Sequence, residues 1–145
     1  MSKSLGNTVD PGQLVNQYGA DTARLFILFG APVDRDLDWS DTGVEGSFRF
    51  LARVFRLCTE QNQYPLKEGK AGELEKICHK TIQKVTDDIT RFSFNTAISR
   101  LMEFVNFMYL NGTTPEACQT LILLLAPFAP FITEELNALS GNKVS

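Results

Sequence analysis

Histidine occurs once in the 145 residues of this chain, as His79 between Cys78 and Lys80. One imidazole is too few for a His-rich metal site, so a place on a helix surface is expected of it. Cysteine is scarce as well. Cys58, Cys78 and Cys118 are odd in number, far apart and set among apolar neighbours with no CxxC pair. They read as small core residues in a reducing compartment rather than as a disulfide framework. No run reaches the ~18 apolar residues of a membrane span, and the N-terminus lacks the charged-then-apolar layout of a secretory signal. A cytoplasmic protein with no membrane partner is therefore expected. An excess of positive charge is also missing, with 14 Lys and Arg against 17 Asp and Glu, a net charge of -3. This excludes a protein that grips nucleic acid through bulk charge and leaves only a local basic patch for that purpose. Strand alternation persists nowhere beyond one short acidic segment, and no long repeat appears. What remains, at 43% hydrophobic residues, is enough for one domain to bury a core without metals or disulfides.

The residues present spell helices. "TVDPGQLVNQYG" offers Asp10 as N-cap, Pro11 at the first helical position and Gly19 as a stop, which predicts a short helix. A second is expected to start at Asp21 as its cap and to run through "TARLFILFG" to near Gly30, before Pro32. "VDRDLDWSD" reads as an extended loop with Leu37 and Trp39 on one side and Asp34, Asp36 and Asp38 on the other. Its acids lack the ligand order and central glycine of a calcium loop. From Ser40 or Asp41 a long helix is predicted to about Gln63, burying Val44, Phe48, Leu51, Phe55 and Cys58, with Phe50, Val54 and Leu57 widening the stripe. Pro65, Gly69 and Gly72 turn the chain. A helix from roughly Glu73 to Phe92 is expected to bury Leu74, Ile77, Cys78, Ile82, Val85 and Ile89. The next, restarted near Ser93 or Asn95 and ending near Gly112, buries Phe94, Ile98, Leu101, Val105 and Met108. Thr114 caps a further helix with Pro115 at its start; "EACQTLILLLA" is apolar nearly all round and reads as the central helix. Pro130 opens a last one, with Glu134 and Glu135 early in it. Short connections between helices of this length predict an all-α, antiparallel up-down bundle.

Two basic stripes remain. Arg49, Arg53 and Arg56 repeat at four and three, opposite the apolar face and without intervening acids. They form either a solvated face or a ladder for backbone phosphates. Lys76, Lys80 and Lys84, diluted by Asp87, read as a solvated face. At the N-terminus, "MSKSLGN" holds the parts of a mobile phosphate clamp: an ammonium, two hydroxyls and a glycine that lets backbone amides approach. By composition alone it equally suits a polar tail.

The continuation changes that reading. "YGADTARLFILF", "DLDWSD" and "GVEGSFRFLARV" together resemble the rear of the catalytic region of bacterial leucyl-tRNA synthetases, entered one residue inside the KMSKS signature, and "LLLAPFAPFITEEL" resembles the helical anticodon-binding domain of the same class Ia group. The resemblance implies three parts: residues 1–10 as the remnant of the KMSKS loop, 11–40 as a stem-contact segment and 41–145 as the anticodon-binding bundle. It implies that Lys3 is the second lysine of the motif, holding ATP phosphates while leucine attacks the α-phosphate, with Ser2 and Ser4 supporting the same contacts. It implies that Arg49, Arg53 and Arg56 follow the tRNA(Leu) backbone by shape rather than by reading anticodon bases. ATP, Mg2+ and leucine belong to the full-length enzyme and none is expected on this chain, which is expected to be a monomer. The nucleotide-binding fold, the HIGH motif, the editing domain and the C-terminal tRNA-binding domain of the family do not occur in this sequence, so an excised, catalytically inactive fragment is expected. A non-catalytic helical interaction or scaffold module is the alternative. The family pattern "APHxxEELW" has His and Trp where this chain has Phe131 and Asn137. The smaller Asn137 is expected to weaken packing at the last helix.

Overall fold

The computed structural model describes residues 18–30 and 41–140. Within them run α1 (Tyr18–Gly30), α2 (Asp41–Thr59), α3 (Ala71–Thr90), α4 (Phe94–Asn111), α5 (Pro115–Leu125) and α6 (Pro130–Leu139), with a single 3-10 turn, Gln61–Gln63, after α2. The links 91–93, 112–114 and 126–129 are short, and α3 to α6 pack on one another and on α1 and α2 as the all-α bundle expected. Ser2, Lys3 and Ser4, the helix expected after Asp10, and the loop bearing Leu37 and Trp39 lie outside the described residues.

Local chemistry sets most helix ends. Thr114 accepts a bond from the Ala117 N–H at 3.1 Å while Pro115 occupies the first turn of α5, as the sequence signals. α3 ends in a paired closure: Phe92 N–H donates to the Ile89 carbonyl and Ser93 N–H to that of Asp88. This closure needs a left-handed residue, here Phe92 at φ 60°, a position glycine usually fills. Gly112 closes α4 at φ 97°, and a Cβ there would meet the Pro65 carbonyl oxygen. The link after the 3-10 turn lies against the end of α4 at that point, with Lys67 N–H bonded to Asn111 O and Thr113 N–H to Tyr64 O.

Two helix-end expectations fail together at α1. Gly19 falls in the first turn of α1 rather than at a stop, and Asp21 lies in the same turn rather than capping it. Asp21 is fully buried, and its carboxylate crosses to the start of α6, accepting from Phe131 N–H at 3.2 Å and Ile132 N–H at 2.6 Å. Ala129, at the N-cap position of α6, makes no side-chain cap bond, and Pro130 has no N–H. Asp21 therefore supplies the bonds that a local Ser or Asp would give. One turn along α1, Arg24 Nε donates to the Pro127 carbonyl at 2.9 Å. A cation thus faces the end of α5 and an anion the start of α6, each matched to the helix dipole it meets.

The core is continuous: Leu25 from α1, Phe50, Leu51, Val54 and Leu57 from α2, Phe104, Leu121 and Leu136 from the later helices, and Phe128 from the link between α5 and α6 are all buried. On α2 the buried arc includes Ser47 and centres near Val54, while Phe48 is 46% exposed and Phe55 half-buried. At 100° per residue this is a rotation of about 80° from the Val44–Cys58 stripe read off the sequence. On α3, Thr81 and Asp88 are buried where Ile82 was expected, and Ile82 is 39% exposed. Asp88 is paired with Arg100 of α4 at 3.1 Å. α5 packs against α2, α3, α4 and α6, yet Leu123 is 62% exposed, so one face reaches solvent. α4 shares the centre, against α1, α2, α3 and α5. Asn137 is half-buried and its Oδ1 accepts from Gln119 Nε2 at 3.4 Å, a polar tie between α5 and α6 where the family pattern has Trp.

Candidate nucleic-acid interface

The rotation of α2 decides how its arginines stand. With the buried arc centred near Val54, Arg49 and Arg56 lie on the far side and are exposed, while Arg53 falls on the flank that faces α4 and is half-buried. The fold keeps the three on one side of one helix. None of them is ion-paired among the described residues, whose salt bridges are Lys70–Glu73, Glu75–His79 and Asp88–Arg100. An arginine face with no carboxylate partner keeps its charge available for an outside anion.

Arg53 is held by α4 at three points. Its Nη1 donates to Asn106 Oδ1 at 2.9 Å, its guanidinium lies 4.4 Å from the centroid of the Tyr109 ring, and its backbone carbonyl accepts from the Tyr109 hydroxyl at 2.6 Å. Tyr64 packs edge-on to the same ring, with centroids 5.0 Å apart and planes at 77°. Burial, with Tyr64 adding to it, pushes the Tyr109 phenol above its ordinary value against the pull of Arg53 and Arg56. The hydroxyl therefore stays protonated at neutral pH and acts as the donor to Arg53. Sequence reasoning missed Asn106, Tyr109 and Tyr64. The one signal for them was a polar Asn set three residues before a Tyr in the apolar run "FVNFMYL".

Elsewhere the expectations mostly hold. His79 and the nearby Lys76 and Lys80 are exposed, and Lys84 is half-buried. His79 stands 4.0 Å from Glu75. Cys58, Cys78 and Cys118 are free thiols, Cys118 buried and the other two half-buried. The fold brings them closer than their spacing suggests. Cys58 and Cys118 both line a groove of about 680 Å³ between the end of α2, α5 and α6. Interaction with the Cys118 thiol, with burial, pushes Cys58 above its ordinary value; the same interaction draws Cys118 down against its own burial. Among the described residues no group of three or more His, Cys, Asp or Glu could hold a metal ion.

Comparison with known proteins gives this geometry a family. The family model described as "Anticodon-binding domain of tRNA ligase" matches residues 72–145, just over half of the 145. That for "tRNA synthetases class I (I, L, M and V)" matches residues 1–40. The chain is 47% identical over 165 residues to "Leucine--tRNA ligase" of Syntrophus aciditrophicus (strain SB), a match covering 99% of this chain and 19% of that protein. It is also similar to a crystal structure described as the ternary complex of Agrobacterium radiobacter K84 agnB2 LeuRS-tRNA-LeuAMS. There the identity is 36% and the TM-score 0.79, over 97% of this chain and 21% of that one. The chain thus spans about a fifth of the length of the relatives it matches. A helical bundle of this shape, matched along its second half by that model and over nearly its whole length by those relatives, belongs to the anticodon-binding domain family of the class I tRNA ligases.

Proposed function

We infer that this chain is the tRNA-facing helical part of a leucine-tRNA ligase, an enzyme that attaches leucine to tRNA(Leu) at the expense of ATP. The observation that carries the reading is the stripe of Arg49, Arg53 and Arg56, free of ion pairs among the described residues, on a chain 47% identical to a protein named Leucine--tRNA ligase. Backbone phosphates supply the anion such a stripe lacks, and shape rather than base identity is what it reads. Residues 41–145 serve as the bundle, 11–40 as the segment contacting the tRNA stem, and 1–10 as the catalytic loop. In that loop an ammonium on Lys3 between the hydroxyls of Ser2 and Ser4 is a donor set suited to phosphate oxygens. Lys3 offsets negative charge on the phosphates of ATP as leucine is activated. The MSKSLGN stretch of that loop has no carboxylate, so Mg2+ is expected to arrive with the nucleotide. The chain by itself is assigned tRNA binding in the cytoplasm and no ligase activity.

The test is binding of a tRNA(Leu) transcript by the native chain and by an Arg49/Arg53/Arg56→Ala triple variant of equal helicity. Loss of affinity in the variant supports the interface. Equal binding returns the chain to the class of helical scaffold modules.

A further inference from the structure

We propose that Asn106 and Tyr109 of α4 are positioning residues for RNA binding, holding the Arg53 guanidinium in one pose so that it meets a phosphate already ordered. The inference rests on the tRNA-facing role given to the arginine stripe and adds residues on a second helix to it. Arg53 begins on the flank of α2, beside α4 rather than pointing straight into solvent. An unheld arginine there would sample many rotamers, and a phosphate would have to select one of them. Three contacts remove that freedom. Asn106 Oδ1 takes one guanidinium N–H at 2.9 Å, the Tyr109 ring supports the guanidinium face at 4.4 Å, and the Tyr109 hydroxyl fixes the backbone at Arg53 through a 2.6 Å bond. The ring is in turn seated by Tyr64, edge-on at 5.0 Å.

The chemistry of the partner matters. Asn106 accepts a hydrogen bond without carrying charge, so it orients the guanidinium and leaves its full positive charge for an anion. A carboxylate at that position would neutralise it. Only Nη1 is bonded to a protein acceptor, so among the described residues the other guanidinium N–H groups remain open to the two oxygens of one phosphate. Arg49 and Arg56, exposed on the same side of α2, have no such support among the described residues. Arg53 is the preorganised member of the three.

The experiment measures dissociation constants of the 145-residue chain for a tRNA(Leu) transcript at several salt concentrations. It compares the native chain with Asn106→Ala, Arg53→Ala, the double variant and the Arg49/Arg53/Arg56→Ala triple variant. Asn106 is exposed and alanine favours helix, so its variant keeps the fold, and a thermal melt checks that it does. Ordering one long side chain corresponds to an affinity loss of roughly 2- to 10-fold when Asn106 is truncated. Because no charge is removed, the slope of log affinity against log salt stays at its native value in Asn106→Ala, whereas Arg53→Ala lowers it by about one. The double variant binds no more weakly than Arg53→Ala alone, since Asn106 acts through Arg53. If the triple variant loses affinity while Asn106→Ala binds as the native chain does, or if the two single losses add, the positioning role is overturned and the interface stands. If the triple variant binds as tightly as the native chain, the interface itself is overturned and the positioning role falls with it.

Discussion

Removing the carboxylate of Asp21 by an Asp21→Ala substitution should destabilise the fold although the residue is remote in sequence from what it holds. The carboxylate accepts from two N–H groups of α6, at Phe131 and Ile132, across 110 and 111 positions of chain. Ile132 is 1% exposed, so its N–H would be left buried without a partner, at a cost of about 1–3 kcal/mol. Phe131 is 56% exposed and water can replace its bond, so that loss is nearer ~0.5 kcal/mol. Relief from burying a charge offsets part of this. The net expectation is about 2 kcal/mol, or roughly 6–8 °C in Tm for a chain of this size. Asp21→Asn keeps one acceptor and should fall between the native chain and the alanine variant. Burial pushes the Asp21 carboxyl above its ordinary value, against the two backbone bonds and Arg24. A raised folded-state value adds stability at low pH that is lost as pH rises through it, so the native chain should gain on Asp21→Asn as pH falls from about 7 toward 4. Urea titrations followed by helical circular dichroism read all of this. An Asp21→Ala variant within ~0.5 kcal/mol of native would refute the idea that α1 caps α6.

Three further outcomes follow from named contacts. Gly112→Ala forces an L side chain into φ 97° and drives its Cβ onto the Pro65 carbonyl, so a loss of about 2–4 kcal/mol is expected in the same urea titration. Cys58, pushed above its ordinary value by interaction with Cys118 and by burial, should alkylate with iodoacetamide more slowly at pH ~8.5 than an open thiol does. In the full-length enzyme, Lys3→Ala should depress ATP-pyrophosphate exchange by about 10²-fold or more, and an unchanged rate would remove Lys3 from the reaction.

Legibility in the sequence divides by distance along the chain. Thr114 with Pro115, Pro130, and the Gly112 stop act through neighbours a few residues away, so their helix ends could be read directly. The buried stripe of α2 was readable as a stripe but not to within about 80°, because Phe48 and Ser47 compete for the arc and packing against its neighbours decides between them. Asp21 looked like a local cap because Asp usually is one. Its partners lie on the last helix, and nothing near position 21 announces them. The arginine stripe was visible at its spacing of four and three. That Arg53 differs from its two neighbours was not, since Asn106 and Tyr109 reach it from 53 and 56 residues away. The resemblance to leucyl-tRNA synthetases, carried by "GVEGSFRFLARV", named the family before any of these contacts existed to be seen.

The central claim is that three arginines on α2 meet the tRNA backbone, and the salt dependence of binding tests it most directly. For a tRNA(Leu) transcript, replacing Arg49, Arg53 and Arg56 by alanine is predicted to lower the slope of log affinity against log salt by about three, with helicity unchanged. A variant whose slope and affinity both match those of the native chain would contradict the account.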